Sequence, residues 1–292
     1  MHNFKTNYDK ILEVLNEIEP KDNFIPQIRK PKMNDKKLIA IGLVAEYMSI
    51  DSECQLFRIL PRTLSSCIER SVYNRRKRKL FKAMNLLRLK LVEHIDQFEN
   101  CYIVDSMPLE VCKLSRSSRS TICKEKTYSS PNRGYCASQS MSYYGYKLHA
   151  VCSIKGVIGS LDISPASVHD IHFLKDIRNQ MEDCTILADK GYLSASYQLD
   201  LFQKSNIRLE TPMRRNQKNY RDQPYIFKKS RKRIETIFSQ LCDQFMIRRN
   251  YAKTFDGFKT RILTKITAMT VIQYINKFHF NRNVNNLKIN IT

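Results

Sequence analysis

The sequence has no apolar run long enough to span a bilayer. A membrane-spanning helix needs about 20 consecutive, predominantly apolar residues. The N-terminal stretch MHNFKTNYDKILEVLNEIEPKDN also has no apolar core of the kind that a signal peptide carries. We therefore expect a soluble, intracellular protein that is neither secreted nor embedded in a membrane.

Cysteine pairs at metal-binding spacing are also missing. The nine cysteines are widely separated, and no Cys-x-x-Cys motif occurs. Disulfides are not expected in an intracellular chain of this length. A zinc site could be imagined from Cys112, Cys123, Cys136 and His149, but their separations match no common zinc finger or ribbon. We interpret the cysteines as reduced residues that fill the core as small apolar side chains.

Acidic residues are few compared with basic ones. Fifty lysines and arginines against 28 aspartates and glutamates give a formal net charge of +22. Such an excess repels itself unless a polyanion neutralises it, and nucleic acid is the usual partner. An anionic membrane surface is the alternative partner. The length of 292 residues, 42% of them hydrophobic, allows one large domain or two smaller ones with a real core.

Residues 33–98 are predicted to form an all-α, helix-turn-helix-like domain. An N-terminal helix and a proline-punctuated linker precede them in residues 1–32. Two helices are predicted to begin at a capping residue, either Asn34 or Asp35 for the first and Asp51 or Ser52 for the second. A break at Pro61 and one long basic helix follow, which is the order of a helix-turn-helix module.

The long helix contains the segment RSVYNRRKRK, residues 70–79, which has six basic residues and no acid. This charge density favours contacts with DNA phosphates, which would position the protein without specifying a sequence. A helical bundle with a solvated basic face is the alternative. The expected contact residues are Arg75, Arg76, Lys77, Arg78 and Lys79.

Residues 99–280 are predicted to form an α/β domain, followed by a polar tail at 281–292. The expected element order is β, ββ, α, β, α, β, α, with a β-hairpin turning at Lys155-Gly156 and an exposed loop over 113–142. The first and fourth strands, CYIVD and CTILAD, are apolar throughout, so we expect them at the centre of a mixed sheet with flanking helices.

Three acids stand in positions that suit a metal site. Asp105 and Asp189 each end an apolar strand, and sites in open α/β sheets form at that edge when the strands are neighbours. Glu235 lies on the flank of a helix, beside Arg231 and Lys228. Carboxylates that lie close together repel each other, and divalent cations stabilise them. Taken singly, Asp189 could be a capping residue and Glu235 a surface glutamate.

Several motifs resemble those of a known family. The segments IVDSMP, YYGYKLHAV, SPASVHD, LADKGY and RKRIETIFSQL, in this order, resemble DDE transposases of bacterial insertion sequences. The N-terminal LIAIGLVAEYMSIDSECQLF and RSVYNRRKRKL are similar to the IS982 family in particular. The resemblance covers about residues 33–275. It identifies Asp105, Asp189 and Glu235 as the three catalytic, metal-binding acids.

The resemblance implies an RNase H-like catalytic domain that uses two Mg²⁺ ions, with Mn²⁺ as a possible substitute. It further implies cut-and-paste movement of double-stranded DNA flanked by inverted repeats, by a homodimer on DNA in the bacterial cytoplasm, associated with the nucleoid. Lys190, Lys228 and Arg231 are the expected phosphate contacts near the acids.

The resemblance is incomplete around the third acid. Related transposases often have the pattern Tyr-x2-Arg-x3-Glu-x6-Lys, in which Arg231 and Glu235 fit. The tyrosine position holds Lys228 and the lysine position holds Cys242, so functions that depend on that tyrosine or that lysine do not carry over. His149 is interpreted as a hydrogen-bonded structural histidine, and no function is assigned to His169 or Asp170.

Three other functions agree with parts of the sequence. A related nuclease without strand transfer would use the same acids. A catalytically inactive DNA-binding protein would need only the basic helices. An RNA-binding or membrane-surface protein would also account for the basic helix, but it leaves the three acids unexplained.

Overall fold

A computed structural model describes residues 4–213, 216 and 220–292. The chain divides into two compact units. Unit 1 consists of Met1–Ile95 and Gln240–Thr292, and unit 2 consists of Asp96–Ser239. The C-terminal segment therefore belongs with the N-terminal helices, whereas the sequence places most of it in an α/β domain that ends at residue 280.

Ten helices and six strands are assigned within the described residues. The helices are α1 (Phe4–Ile18), α2 (Asp35–Tyr47), α3 (Glu53–Ile59), α4 (Arg62–Ser65), α5 (Arg70–Lys79), α6 (Phe81–Ile95), α7 (Phe173–Ile177), α8 (Ala195–Ser205), α9 (Tyr225–Asp243) and α10 (Phe255–Tyr274). The strands are β1 (Cys101–Cys112), β2 (Asn132–Cys136), β3 (Met141–Ser153), β4 (Ile158–Pro165), β5 (Thr185–Leu187) and β6 (Arg208–Glu210).

The core of unit 1 forms around α10. This helix is buried on nearly every side and packs against α2 and α6. The segment after it is also part of the core, because Leu287 and Ile291 are buried. Residues 281–292 are therefore not simply a polar tail. None of the described helices is long and apolar enough to cross a membrane.

Local capping determines where the N-terminal helices begin. Asn34 caps α2 by accepting a hydrogen bond from the Lys37 amide, at 2.8 Å. Ser52 caps α3 by accepting a bond from the Gln55 amide. Both residues were among the predicted helix starts, because a side-chain oxygen at this position satisfies an amide that has no partner within the helix.

The predicted long basic helix is wrong, because it is two helices. The break lies at Leu80, which is buried and has φ −83° and ψ 5°. Neither proline nor glycine marks it in the sequence. Each helix buries its own apolar residues, Tyr73 in α5 and Met84 and Leu91 in α6. The break is thus a consequence of tertiary packing.

Unit 2 contains a mixed six-stranded sheet with flanking helices. The strand order is β2-β3-β1-β5-β6, and β4 also pairs with β3. The pairs β1/β3, β2/β3 and β3/β4 are antiparallel, while β1/β5 and β5/β6 are parallel. The predicted hairpin is present between β3 and β4, with Gly156 at φ 89° in the turn. The prediction that β1 and β5 lie inside the sheet is confirmed.

The segment 113–142 is more regular than the predicted exposed loop. It contains three short 3₁₀ turns and the strand β2, which pairs with the first part of β3. Gly134 permits this arrangement, because a Cβ atom there would lie 2.6 Å from the Ala166 carbonyl oxygen. The strand β2 thus depends on the close approach of Gly134 to the backbone of Ala166. The basic and polar composition of the segment does not indicate this contact.

Candidate active site

Asp105 lies on β1, and Asp189 comes two residues after the end of the adjacent parallel strand β5. The two strands pair from Cys101 with Thr185 to Ile103 with Leu187. Beyond the last pair the two acids stay close enough for the charge of Asp189 to raise the pKa of Asp105, and Arg231 acts on both. The sheet therefore brings together two acids that are far apart in the sequence.

Asp105 is a half-buried carboxylate. Its Oδ1 accepts a hydrogen bond from the Ser106 amide at 2.8 Å. Burial raises the pKa of Asp105 to about 6, since the charged form is poorly solvated there. The Ser106 bond and the charge of Arg231 lower this pKa, whereas the charges of Asp189 and Asp170 raise it. A desolvated carboxylate with acidic neighbours is a suitable ligand for a cation.

Asp189 is more exposed and has two partners. Its Oδ1 accepts a hydrogen bond from the Lys190 amide at 2.6 Å and so caps the 3₁₀ turn Lys190–Tyr192. Arg231 Nη2 of α9 lies 3.4 Å from the same oxygen. Asp189 is therefore a capping residue, as the simpler interpretation holds, and it also faces the helix that carries the third acid.

Glu235 lies on α9, four residues after Arg231 and hence about one turn further along nearly the same face. It is exposed, whereas the neighbouring Ile234, Ile237 and Phe238 are buried. The carboxylates of Asp105, Asp189 and Glu235 are not gathered in a ready-made metal site, because their oxygens do not all lie within 4.8 Å of one another. These acids nonetheless supply the oxygen ligands that Mg²⁺ prefers.

A different group of ligand atoms does lie within 4.8 Å in the described part of the chain. It consists of Glu13 and Glu17 of α1 and His279. Lys10 Nζ lies 3.0 Å from Glu13 Oε2 and 2.8 Å from His279 Nδ1. Because a lysine already supplies the positive charge, we interpret this group as a surface ion-pair network.

The basic residues of α5 do not all point outward. Arg76 Nη2 lies 2.5 Å from Oδ1 of the buried Asp35, and its Nη1 donates to the Met33 carbonyl at 3.0 Å. Burial lowers the pKa of Lys77, whose Nζ lies 5.8 Å from the centre of the Tyr73 ring. Both side chains are thus engaged inside unit 1. Of the five predicted contact residues, Arg75, Arg78 and Lys79 are exposed, as is Arg70 at the start of α5.

Near the acids, the three predicted phosphate contacts have different surroundings. Lys190 is exposed beside Asp189, and Lys228 Nζ lies 3.7 Å from Asp222 on the surface. Arg231 is the most enclosed of the three and pairs with Asp189. Lys190 and Lys228 are therefore exposed enough for a phosphate to reach them, although Lys228 pairs with Asp222, while the less exposed Arg231 pairs with an acid of the site.

A family model described as the transposase DDE domain matches residues 96–271, which is more than half of the chain. The chain belongs to this family. The match begins at the first residue of unit 2 and includes Asp105, Asp189 and Glu235. DDE transposases act on DNA in transposition and generally use divalent metal ions. No curated protein matches the chain significantly.

This DDE transposase also has a tyrosine at the site that sequence reasoning missed. Tyr192 follows Asp189 by three residues, and its amide donates to the Asp189 carbonyl at 3.0 Å. Its side chain is buried, and its hydroxyl has no hydrogen-bond partner within the described residues. The only indication in the sequence is its place at the end of LADKGY.

Proposed function

We propose that this chain is a metal-dependent transposase of an IS982-type insertion sequence, which cleaves DNA at terminal inverted repeats and joins the freed ends to target DNA. The supporting observation is the pairing of β1, which carries Asp105, with β5, which Asp189 follows by two residues, together with the contact of Arg231 of α9 with Asp189. Glu235, one turn further along α9, supplies the third acid.

The sheet agrees with an RNase H-like catalytic domain. Antiparallel strands β4, β3 and β1 are followed by the parallel strands β5 and β6. Asp105 lies on the central strand β1, and Asp189 follows the neighbouring strand β5. Both acids are therefore on the side of the sheet where sites of open α/β sheets form. The third acid comes from α9, the helix whose Arg231 contacts Asp189.

The chemistry follows from the three acids and their cation. Asp105, Asp189 and Glu235 would hold Mg²⁺, or Mn²⁺ in its place, and the bound ions supply an activated water and a stabilised leaving oxygen. Arg231 keeps Asp189 oriented and offsets the repulsion between the aspartates. Because Glu235 is not yet in ligand contact with them, its side chain must turn toward the aspartates when the ions bind.

DNA contacts in unit 1 are proposed for Arg75, Arg78 and Lys79. Beside α5 lies a cleft of about 560 Å³, whose lining includes Arg78, Lys253 and the exposed Tyr251 as well as the acids Glu46, Asp51 and Glu53. Basic side chains next to an exposed aromatic ring suit a nucleic-acid strand. We propose that α3–α5 act as a helix-turn-helix-like module, and that a homodimer holds the two element ends in the nucleoid.

The test uses the full-length protein, a labelled duplex with the element's terminal repeat, and a plasmid target. We expect cleavage and joining in Mg²⁺ or Mn²⁺ but not in EDTA. We expect both reactions to be abolished, with DNA binding retained, in each of the variants Asp105→Asn, Asp189→Asn and Glu235→Gln. The control is Asp200→Asn, which replaces a surface carboxylate on α8 and should leave both reactions unchanged. Cleavage without joining would instead identify a nuclease, and binding without either reaction an inactive DNA-binding protein.

A further inference from the structure

Asp170 lies in a polar cluster that the proposed chemistry leaves unused. Its Oδ1 accepts a hydrogen bond from Lys147 Nζ at 2.9 Å, and Lys147 also donates to the Val168 carbonyl at 3.0 Å. The 3₁₀ turn Asp170–His172 packs against the turn Lys190–Tyr192. The segments SPASVHD and LADKGY therefore meet in the folded protein.

Two buried polar atoms of this cluster lack a hydrogen-bond partner within the described residues, the hydroxyl of Tyr192 and Nδ1 of His149. A buried polar group without a partner destabilises the folded protein, so such atoms in a native protein call for an explanation. His149 Nδ1 lies 4.0 Å from Asp170 Oδ1. Burial is the main cause of the raised Tyr192 pKa, and among the charged groups Asp170 has the largest effect on it.

The imidazole of His149 is held in one orientation. Its Nε2 lies 2.7 Å from Ser164 Oγ, and its ring stacks on Phe173 with centres 5.1 Å apart. Burial lowers the pKa of His149 to about 4, so the ring is neutral at pH 7 and has a single N–H. The adjacent Asp170 carboxylate favours that proton on Nδ1, with Ser164 donating to Nε2.

We propose that Asp170 is a positioning residue for Asp189. Its carboxylate accepts hydrogen bonds from Tyr192 and His149 through one bridging water, and thereby fixes the turn that Asp189 caps. Lys147 holds the same carboxylate oxygen, Oδ1, by its hydrogen bond. This inference rests on the proposed function of Asp189 as a metal ligand, whose outer partners set ligand orientation in many metal sites.

The test measures Mn²⁺ affinity of the full-length protein from the electron paramagnetic resonance signal of free Mn²⁺. Loss of an outer partner typically weakens metal binding about 10-fold or more. We expect this loss for Tyr192→Phe and a smaller loss for Asp170→Asn, whose amide oxygen can still accept a hydrogen bond. The double variant should lose no more than Tyr192→Phe alone, because without the tyrosine hydroxyl the link to residue 170 is already broken. The control is Tyr197→Phe, a partly buried tyrosine packed against the same core.

Thermal unfolding in EDTA separates positioning from simple folding support. An asparagine at 170 can still accept the Lys147 bond, so we expect nearly unchanged unfolding midpoints. Two outcomes would overturn the positioning function alone, provided that Asp189→Asn still loses the metal. One is wild-type Mn²⁺ affinity in Tyr192→Phe, and the other is additive losses of affinity in the double variant. Wild-type affinity in Asp189→Asn would overturn the metal site itself, and the positioning function with it.

Discussion

The guanidinium of Arg231 lies 3.4 Å from the carboxylate of Asp189, and its charge also lowers the pKa of Asp105. One cation thus acts on two acids that neighbouring strands bring together. Because Arg231 and Glu235 are one turn apart on α9, the contact also turns the Glu235 side of the helix toward the aspartates. Arg231 reduces the repulsion between the two carboxylates before any metal binds.

Replacing Asp105 should stabilise the metal-free protein at neutral pH. The folded-state pKa is about 6, above the ordinary 3.8, so ionisation of Asp105 costs stability as the pH rises from about 4 to 6. The full cost is at most about 3 kcal/mol. Asp105→Asn avoids it and can keep the Ser106 hydrogen bond. Urea unfolding in EDTA should show a higher free energy of unfolding for Asp105→Asn than for the wild type at pH 7.5, and almost no difference at pH 4. An equal difference at the two pH values would contradict the raised pKa.

His149 should give the opposite pH dependence. Its folded-state pKa is about 4, below the ordinary 6.5, so stability is lost as the pH falls from 6.5 toward 4, where the unfolded chain binds the proton more tightly. The total loss is at most about 3 kcal/mol. In the wild type Asp105 offsets this loss. We expect Asp105→Asn to lose stability over that range, and the double variant with His149→Gln to lose much less. If the stability of Asp105→Asn and of the double variant fell equally with pH, the lowered pKa of His149 would be refuted.

A buried ion pair supports unit 1. Lys265 Nζ lies 2.5 Å from both Glu46 Oε2 and the Phe245 carbonyl, and both charged side chains are buried. Lys265→Met leaves Glu46 with only the longer contact to Arg261, so we expect a loss of about 3–5 kcal/mol of unfolding free energy. Glu46→Gln in the same background should recover part of it. Lys259→Met, at a surface pair, is the control and should change little.

The exposed and enclosed arginines of α5 should differ in their effects on DNA binding. Arg75→Gln and Arg78→Gln should each weaken binding and reduce the slope of log affinity against log salt by about 1, the value for one lost phosphate contact. Arg76→Gln should leave that slope unchanged but lower the unfolding temperature, because it breaks the pair with Asp35. A reduced salt slope in Arg76→Gln would show that Arg76 does reach DNA. Titrations at several salt concentrations and a thermal melt measure these quantities.

Local features of the sequence determined much of this protein. Asn34 and Ser52 mark helix starts because capping depends on residues a few positions apart. The apolar runs before Asp105 and Asp189 indicate buried strands, and Gly156 marks the hairpin turn. The order of the motifs indicates the transposase family, to which the chain belongs.

Only the tertiary structure decided which distant residues meet. It turned Arg76 inward to Asp35, divided the basic helix at Leu80, and joined residues 240–292 to the N-terminal helices. It also packed the turn Asp170–His172 against the turn Lys190–Tyr192 and left Glu235 outside ligand contact with the two aspartates. Such contacts depend on how the faces of helices and strands pack against each other. The sequence pattern of a helix or strand shows which of its faces is apolar, but it does not show which other element covers that face.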